Sequence, residues 1–178
     1  MSCKEQTVDV ARAPLEADGP GGLTMRAIAD KLEIRAPSLY KHIADKHELE
    51  VALITRGFTE QADAFTVAID DNNNQSEPVT AIAHAYRTWA TAHPHLYALM
   101  TDNPLPRNEL PEGIEDAAAV PLVAAVDGDI DQARAIWAFA HGMVNLELAK
   151  RFPPDADIDT AWTTGLERLS SRAPTDRS

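Results

Sequence analysis

Apolar positions along this chain recur mostly every three or four residues and almost never every second one, so the sequence reads as helix throughout. Val8, Ala11, Leu15 and Ala17 form a loose first stripe. Pro14 lies inside it, and its missing amide is expected to kink or shorten that helix. The run Asp18-Gly19-Pro20-Gly21-Gly22 is a stop and a loop. Thr24 stands where an N-cap belongs, ahead of a helix from Met25 to about Leu32 with Met25, Ile28, Ala29 and Leu32 on one face. A tight turn at Glu33-Ile34-Arg35 leads into a second, short helix running to about His42. Pro37 suits its first turn, where an amide has no partner anyway. Asp45 followed by Glu48 is a capping-box-like start for a long helix with Leu49, Ala52, Leu53 and Phe58 inward. That helix fades into the polar run Asp70-Asp71-Asn72-Asn73-Asn74-Gln75, read as a turn or flexible connection.

The second part continues in the same way. Ile82, Ala85, Tyr86 and Trp89 make a stripe ending before Pro94, and a short segment from Leu96 to Met100 follows. Residues 103–111 are too rich in proline for regular helix. The Ala/Val-rich stretch from Ile114 to Val126 is expected to be interrupted at Pro121. Asp129 or Asp131 caps a helix from about Gln132 to Lys150, whose Ile136, Trp137, Ala140, Met143, Val144 and Leu148 make a broad apolar band. Asp157 caps a last helix with Ala161, Trp162, Leu166 and Leu169 inward, and residues 172–178 are expected to form a disordered tail.

Charge changes the picture more than composition does. A formal net charge of −12 argues against a general nucleic-acid binder. Residues 1–57, however, hold eight Lys/Arg against nine Asp/Glu, while residues 58–178 hold the other eight basic residues and nineteen acidic ones. A near-neutral head on an acidic body is compatible with DNA binding by one face of the head, with little non-specific grip. The single cysteine, Cys3, excludes an internal disulfide and a cysteine-built zinc cluster. No apolar run approaches the roughly 18 residues a membrane span needs, and the first residues lack the apolar stretch of a signal peptide; no membrane partner and a cytoplasmic location are expected.

The stretch from Gly22 to Glu50 is the informative one. A capped helix, a tight turn and a short second helix place Arg35, Ser38, Tyr40, Lys41 and His42 outward, with Leu39 and Ile43 as anchors. Such a surface fits a major groove, where base edges offer donors and acceptors. Thr24, Tyr40 and Lys46 suit phosphates, through two hydroxyls and an ammonium.

In three spaced blocks, Leu23-Thr24-Met25-Arg26-Ala27-Ile28-Ala29, Ala36-Pro37-Ser38-Leu39-Tyr40-Lys41-His42 and Asp45-Lys46-His47-Glu48-Leu49, the chain resembles the TetR family of bacterial repressors over about residues 8–56. Trp137 with His141-Gly142 resembles the Trp…His-Gly signature of one class of TetR C-terminal domain. The resemblance implies an all-α fold: a three-helix DNA-binding head with a helix-turn-helix over residues 1–46, and a helical effector-binding and dimerisation body over 47–171. It implies a homodimer through the last two long helices, double-stranded operator DNA as partner, and a small-molecule effector whose binding releases the DNA. Carried onto this chain, the DNA-binding set is Thr24, Arg35, Ala36, Pro37, Ser38, Tyr40, Lys41, His42 and Lys46. Glu33 departs from the family's usual glycine at the turn, where a non-glycine residue needs an uncommon positive φ and a carboxylate beside the DNA face weakens binding. That departure, with Pro14, supports the alternative of a TetR-like ligand- or protein-binding module with weak or no DNA binding.

Aromatic placement in the body nominates Tyr86, Trp89, Tyr97, Met100, Trp137, His141 and Asn145 as a ligand-binding set, apolar with a few polar groups, for a small apolar or aromatic effector. The same side chains also suit an ordinary core. His84, His93 and His95 near Asp102 do not have metal-ligand spacing, and Asp127, Asp129 and Asp131 lack the rest of a calcium loop, so neither a metal nor a cofactor is expected. There is no Gly-x-Ser-x-Gly, no phosphate loop and no paired Cys/His, so no catalytic residue is nominated and an enzyme is not expected.

Overall fold

The first helix does not stop at its proline. In the computed structural model, which describes residues 3–71 and 76–171, α1 runs unbroken from Cys3–Asp18 with Pro14 inside it. This overturns the shortening, one of the two effects expected of Pro14. Val8, Ala11, Pro14 and Leu15 are all buried, so the packing of that face outweighs the one amide that Pro14 cannot donate. The expected stop is there: Gly19–Gly21 make one tight turn, Gly19 with φ +65. Gly22 is required as glycine, because a Cβ there would run into the carbonyl of Pro14.

The remaining elements are α2 (Met25–Lys31), α3 (Ala36–Leu39), α4 (Lys46–Asp71), α5 (Pro78–Ala92), α6 (Pro94–Thr101), α7 (Ile114–Ala125), α8 (Ile130–Leu148) and α9 (Ile158–Ser170). Every described regular element is helical. Pro121, expected to interrupt its stretch, lies inside an unbroken α7, a second correction, here without a buried face to account for it. No residue of α7 is buried. The cap assignments follow the sequence. Asp129, not Asp131, accepts from the amide of Gln132 at 3.0 Å, and Asp157 accepts from the amide and hydroxyl of Thr160 at 2.9 and 2.7 Å. The Thr160 amide, then its hydroxyl, hold the Asp157 carboxyl below the usual carboxylate range. The expected tail over 172–178 and positions 72–75 of the polar run lie outside the described residues.

The expected division into 1–46 and 47–171 is a functional one; packing gathers the chain differently. One compact unit comprises the chain up to Glu60 together with His93–Glu115, and the other comprises Gln61–Ala92 together with the chain from Asp116 onward. In the first unit α1 packs on α2, on the Gly19–Gly21 turn and on α6, and α2 packs on α3. Its core includes Leu15, Leu23, Ile28, Leu39, Ile43, Leu49, Leu53, Leu96 and Tyr97, all fully buried. In the second unit α8 packs on α5 and α9, and α5 on α9, around Ile136, Val144, Trp162 and Leu166. No helix among the described residues is long and apolar enough to cross a membrane.

Candidate functional site

The turn between α2 and α3 is built residue by residue from the first unit's sequence. The Thr24 oxygen accepts from the Ala27 amide at 3.2 Å and starts α2, and Ile28 and Ala29 bury its inner face. Leu32 ends it. Glu33 then takes φ +56, the left-handed conformation that the missing glycine foretold, and the Ile34 amide reaches back to the Ala29 carbonyl at 3.0 Å. Arg35 is extended, and Pro37 stands in the first turn of α3. The helix proper ends at Leu39, sooner than the expected His42, but its bonds continue in tightened form: His42 and Ile43 both donate to the Leu39 carbonyl, at 2.9 and 3.1 Å.

The outcome is a short rod held by two fully buried anchors, Leu39 and Ile43. Arg35, Pro37, Tyr40, Lys41 and His42 are exposed on it, and Ala36 and Ser38 are half-buried. Tyr40 leaves half its surface, 50%, in water. Among the described residues neither Arg35 nor Lys41 has an ion-pair partner. Two cations, a phenol and an imidazole on an anchored rod can reach phosphates and base edges. Thr24 is exposed, with its hydroxyl proton still able to donate. Lys46 is placed differently from the rest: its ammonium donates to the Pro20 carbonyl at 2.7 Å and lies 3.6 Å from Glu50, so it ties the glycine loop to the start of α4.

The start of α4 holds the capping box expected from Asp45 and Glu48, and beside it a set of ion pairs that the sequence reading passed over. Asp45 accepts from the Glu48 amide at 2.8 Å, and Glu48 reaches back to the Ala44 amide at 2.7 Å, one residue before the standard capping-box donor. The Ala44 amide, and then Lys4 at 2.6 Å, hold the Glu48 carboxyl below its usual range. Asp9–Arg56 at 2.8 Å and Arg12–Glu60 at 3.1 Å continue this ladder between α1 and α4, beside a cleft of about 140 Å³ lined by Val8, Asp9, Arg12, Leu53, Arg56 and Glu60. The partners are separated by more than forty residues, so no local spacing could have announced them.

His47, next to Lys46, meets Glu109 of the proline-rich loop at 2.9 Å. The hydrogen bond to Glu109, then its charge and those of Asp45 and Glu50, raise the imidazole pKa above its ordinary value. A raised folded pKa means that the link contributes fully below the ordinary imidazole value and is lost as pH rises through the raised one. We expect an NMR titration to place the His47 midpoint above that of a free imidazole, and Glu109→Gln to bring it back; an unchanged midpoint in Glu109→Gln would contradict the link.

The nominated ligand set falls into both units. Tyr97 and Met100 are core side chains of the first, and Met100 seats against Gly57, where a Cβ would collide with its sulfur. Tyr86 and Trp89 are buried along α5 of the second, Tyr86 with its ring 6.4 Å from that of Phe65. Trp137 faces outward, 51% exposed, stacked on His141 with ring centroids 5.8 Å apart. The amide nitrogen of Asn145 lies 3.0 Å from the His141 ring and donates to the His141 carbonyl, also at 3.0 Å. The sequence reading missed a polar junction in this unit: Glu147, which accepts from Arg87 at 2.8 Å and from the indole of Trp162 at 2.6 Å. Arg87 also meets Asp159 at 2.6 Å and lies over the Trp162 ring, 5.4 Å from its centroid.

Comparison with known proteins agrees with this architecture. Residues 79–169 match the model of a tetracyclin repressor-like C-terminal domain. An uncharacterised HTH-type transcriptional regulator of Mycobacterium tuberculosis is 30% identical, over 94% of this chain and 80% of the other. Another HTH-type transcriptional regulator of that organism is 32% identical over 66% of this chain; the match spans about half, 51%, of that relative's length. Among solved structures, the multidrug binding protein EbrR complexed with imidazole superposes with a TM-score of 0.71 at 20% identity, covering 100% of this chain and 99% of the other. The chain belongs to the TetR family of transcriptional regulators.

Proposed function

We propose that this protein is a DNA-binding transcriptional regulator that acts as a homodimeric repressor and is released from its operator by a small apolar or aromatic molecule. The observation that carries the reading is the anchored rod of α3, with Arg35, Tyr40, Lys41 and His42 exposed over buried Leu39 and Ile43. Thr24, Ala36, Pro37, Ser38 and Lys46 complete the DNA-binding set, Lys46 by fixing the glycine loop behind it. Release requires two states: the effector must bind the DNA-incompetent one better, or it shifts nothing. The test is fluorescence anisotropy on duplexes from upstream of the protein's own coding region, at two salt concentrations. Tight, salt-sensitive and sequence-selective binding supports the regulator.

A second reading, a ligand- or protein-binding module with weak DNA binding, is favoured by two observations. Glu33 puts a carboxylate at the turn of the reading motif, and Lys46 is already engaged with Pro20 and Glu50. Binding no stronger than to random duplex favours that module.

The dimer is assigned to α8 and α9. Ile130 and Trp137, seven residues apart and so on one face, stand exposed on α8. Trp137 is therefore better placed in the seam than in the effector set, which leaves Tyr86, Trp89, His141 and Asn145 as the second unit's effector residues. Trp137→Glu is expected to give a monomer by light scattering with the helical content unchanged; an intact dimer contradicts this seam.

A further inference from the structure

Helix α6 begins without a cap of its own. His93, at its N-cap, makes no side-chain cap bond, and Pro94 has no amide to donate. The first amides in need of an acceptor are those of His95 and Leu96, and both are taken by one carboxylate from α1. Glu16 Oε2 accepts from the His95 amide and Oε1 from the Leu96 amide, each at 3.2 Å. His95 answers in kind: its Nδ1 lies 2.9 Å from the Glu16 carbonyl oxygen, which can only accept, so Nδ1 carries a proton. The imidazole rests on Gly19, whose missing Cβ would lie 3.6 Å from the ring.

The same Oε1 lies 3.4 Å from Nε of Arg12, one turn earlier on α1, an ion pair without a hydrogen bond. The same guanidinium continues to Glu60 of α4 at 3.1 Å. One carboxylate thus joins α1 to the start of α6, beside the Arg12 that joins α1 to α4, and α1 is the helix on which α2 of the reading motif packs. All of this lies within one compact unit. A carboxylate is well suited to the joint, since the amides at a helix start carry partial positive charge.

We infer that Glu16 is a positioning residue for DNA binding: its carboxylate caps α6 from outside and locks α1, with α2 of the reading motif seated on it, to α6. The inference rests on the proposed DNA-binding function. It makes a prediction whose sign plain electrostatics would reverse. Removing a negative charge from an acidic protein should tighten its hold on DNA, whereas loosening the seat of the reading head should weaken it.

The test is Glu16→Gln in the full chain, with two readouts. Amide exchange followed by NMR is expected to quicken at least tenfold at His95 and Leu96, with the α8 amides unaffected. Affinity for the duplex that the wild-type chain selects is expected to fall at least fivefold, with an unchanged salt slope, because no phosphate contact is lost. A second variant separates capping from positioning. Adding His93→Asp to Glu16→Gln supplies a local cap, and is expected to restore thermal stability and slow the exchange again without restoring affinity. Unchanged or tighter binding by Glu16→Gln, on a duplex the wild type selects, overturns the positioning role and leaves the function standing. Restored affinity in the double variant also overturns it, since the cap alone would then suffice. A wild-type chain that selects no duplex overturns the function and the positioning role together, and the exchange at His95 and Leu96 still reports whether Glu16 caps α6.

Discussion

Trp162→Ala is expected to destabilise the protein by about 3–5 kcal/mol, the range for deleting a large buried aromatic. Trp162 is 1% exposed. Its ring stands edge-on to Phe139 with centroids 5.7 Å apart, carries Arg87 above it, and donates its indole N–H to Glu147 at 2.6 Å. Gly165, one turn further along α9, makes room for the Phe139 ring, which a Cβ at that position would penetrate. That space closes only if α8 and α9 draw together, which the close fit of Phe139 on Gly165 resists, so a cavity term adds to the lost transfer term. Trp162→Phe separates the contributions: it keeps most of the ring and deletes the bond to a carboxylate, a change of about 1.5–3 kcal/mol. Arg87 remains to pair Glu147, which limits that loss. Urea denaturation of the three proteins at fixed concentration measures both steps. A cost below about 1 kcal/mol for Trp162→Ala would mean that this packing does not hold the second unit together.

The same residue shows where sequence reading succeeds and where it stops. Trp162 and Leu166 were legible as inward positions because a helix repeats every 3.6 residues and the stripe declares itself. Caps were legible for a related reason: Thr24, Asp129 and Asp157 satisfy amides only three residues away, so the whole interaction lies in one short window. The left-handed turn at Glu33 was legible from the motif around it. Pro14 misled because a local rule met tertiary packing: the rule prices one missing bond, and says nothing of the buried Ala11 and Leu15 that keep α1 whole. Pro121 has no such explanation, since α7 stays whole with no residue buried. Glu16, Glu60, Glu109 and Glu147 could not be read at all. Each is an ordinary surface-type residue with a decisive partner more than forty residues away, and only folding reveals whether a carboxylate meets solvent, a guanidinium or a helix start. Trp137 marks a further limit. An apolar band wider than one helix face tells which side chains avoid water, not whether they do so inside their own chain or against another copy.

The largest effect on DNA binding is expected from Arg35→Ala with Lys41→Ala. Both side chains are exposed on the rod formed by α3 and its continuation, and neither is engaged in an ion pair among the described residues. Their charge therefore costs nothing to redirect toward DNA, unlike that of Lys46, which must first leave Pro20. Each good contact to a base edge contributes about 1–3 kcal/mol, and a homodimer makes each one twice, so the double variant is expected to lose at least about a hundredfold in affinity if either residue reads a base. The salt dependence tells the two kinds of contact apart. A lost phosphate contact reduces the slope of log K against log salt by about 0.9, hence by about 2 per dimer for each lysine or arginine that holds a phosphate. A lost base contact leaves more of the slope intact and narrows the gap between the selected duplex and a random one. Stability should change little, within about 0.5 kcal/mol, because Leu39 and Ile43 anchor the rod and neither is altered. Anisotropy on the selected and random duplexes at several salt concentrations gives both quantities, with urea denaturation alongside. A double variant that binds as well as the wild type, on a duplex the wild type selects, would remove α3 from the interface and leave the rest of the near-neutral head to be searched for the surface that reads DNA.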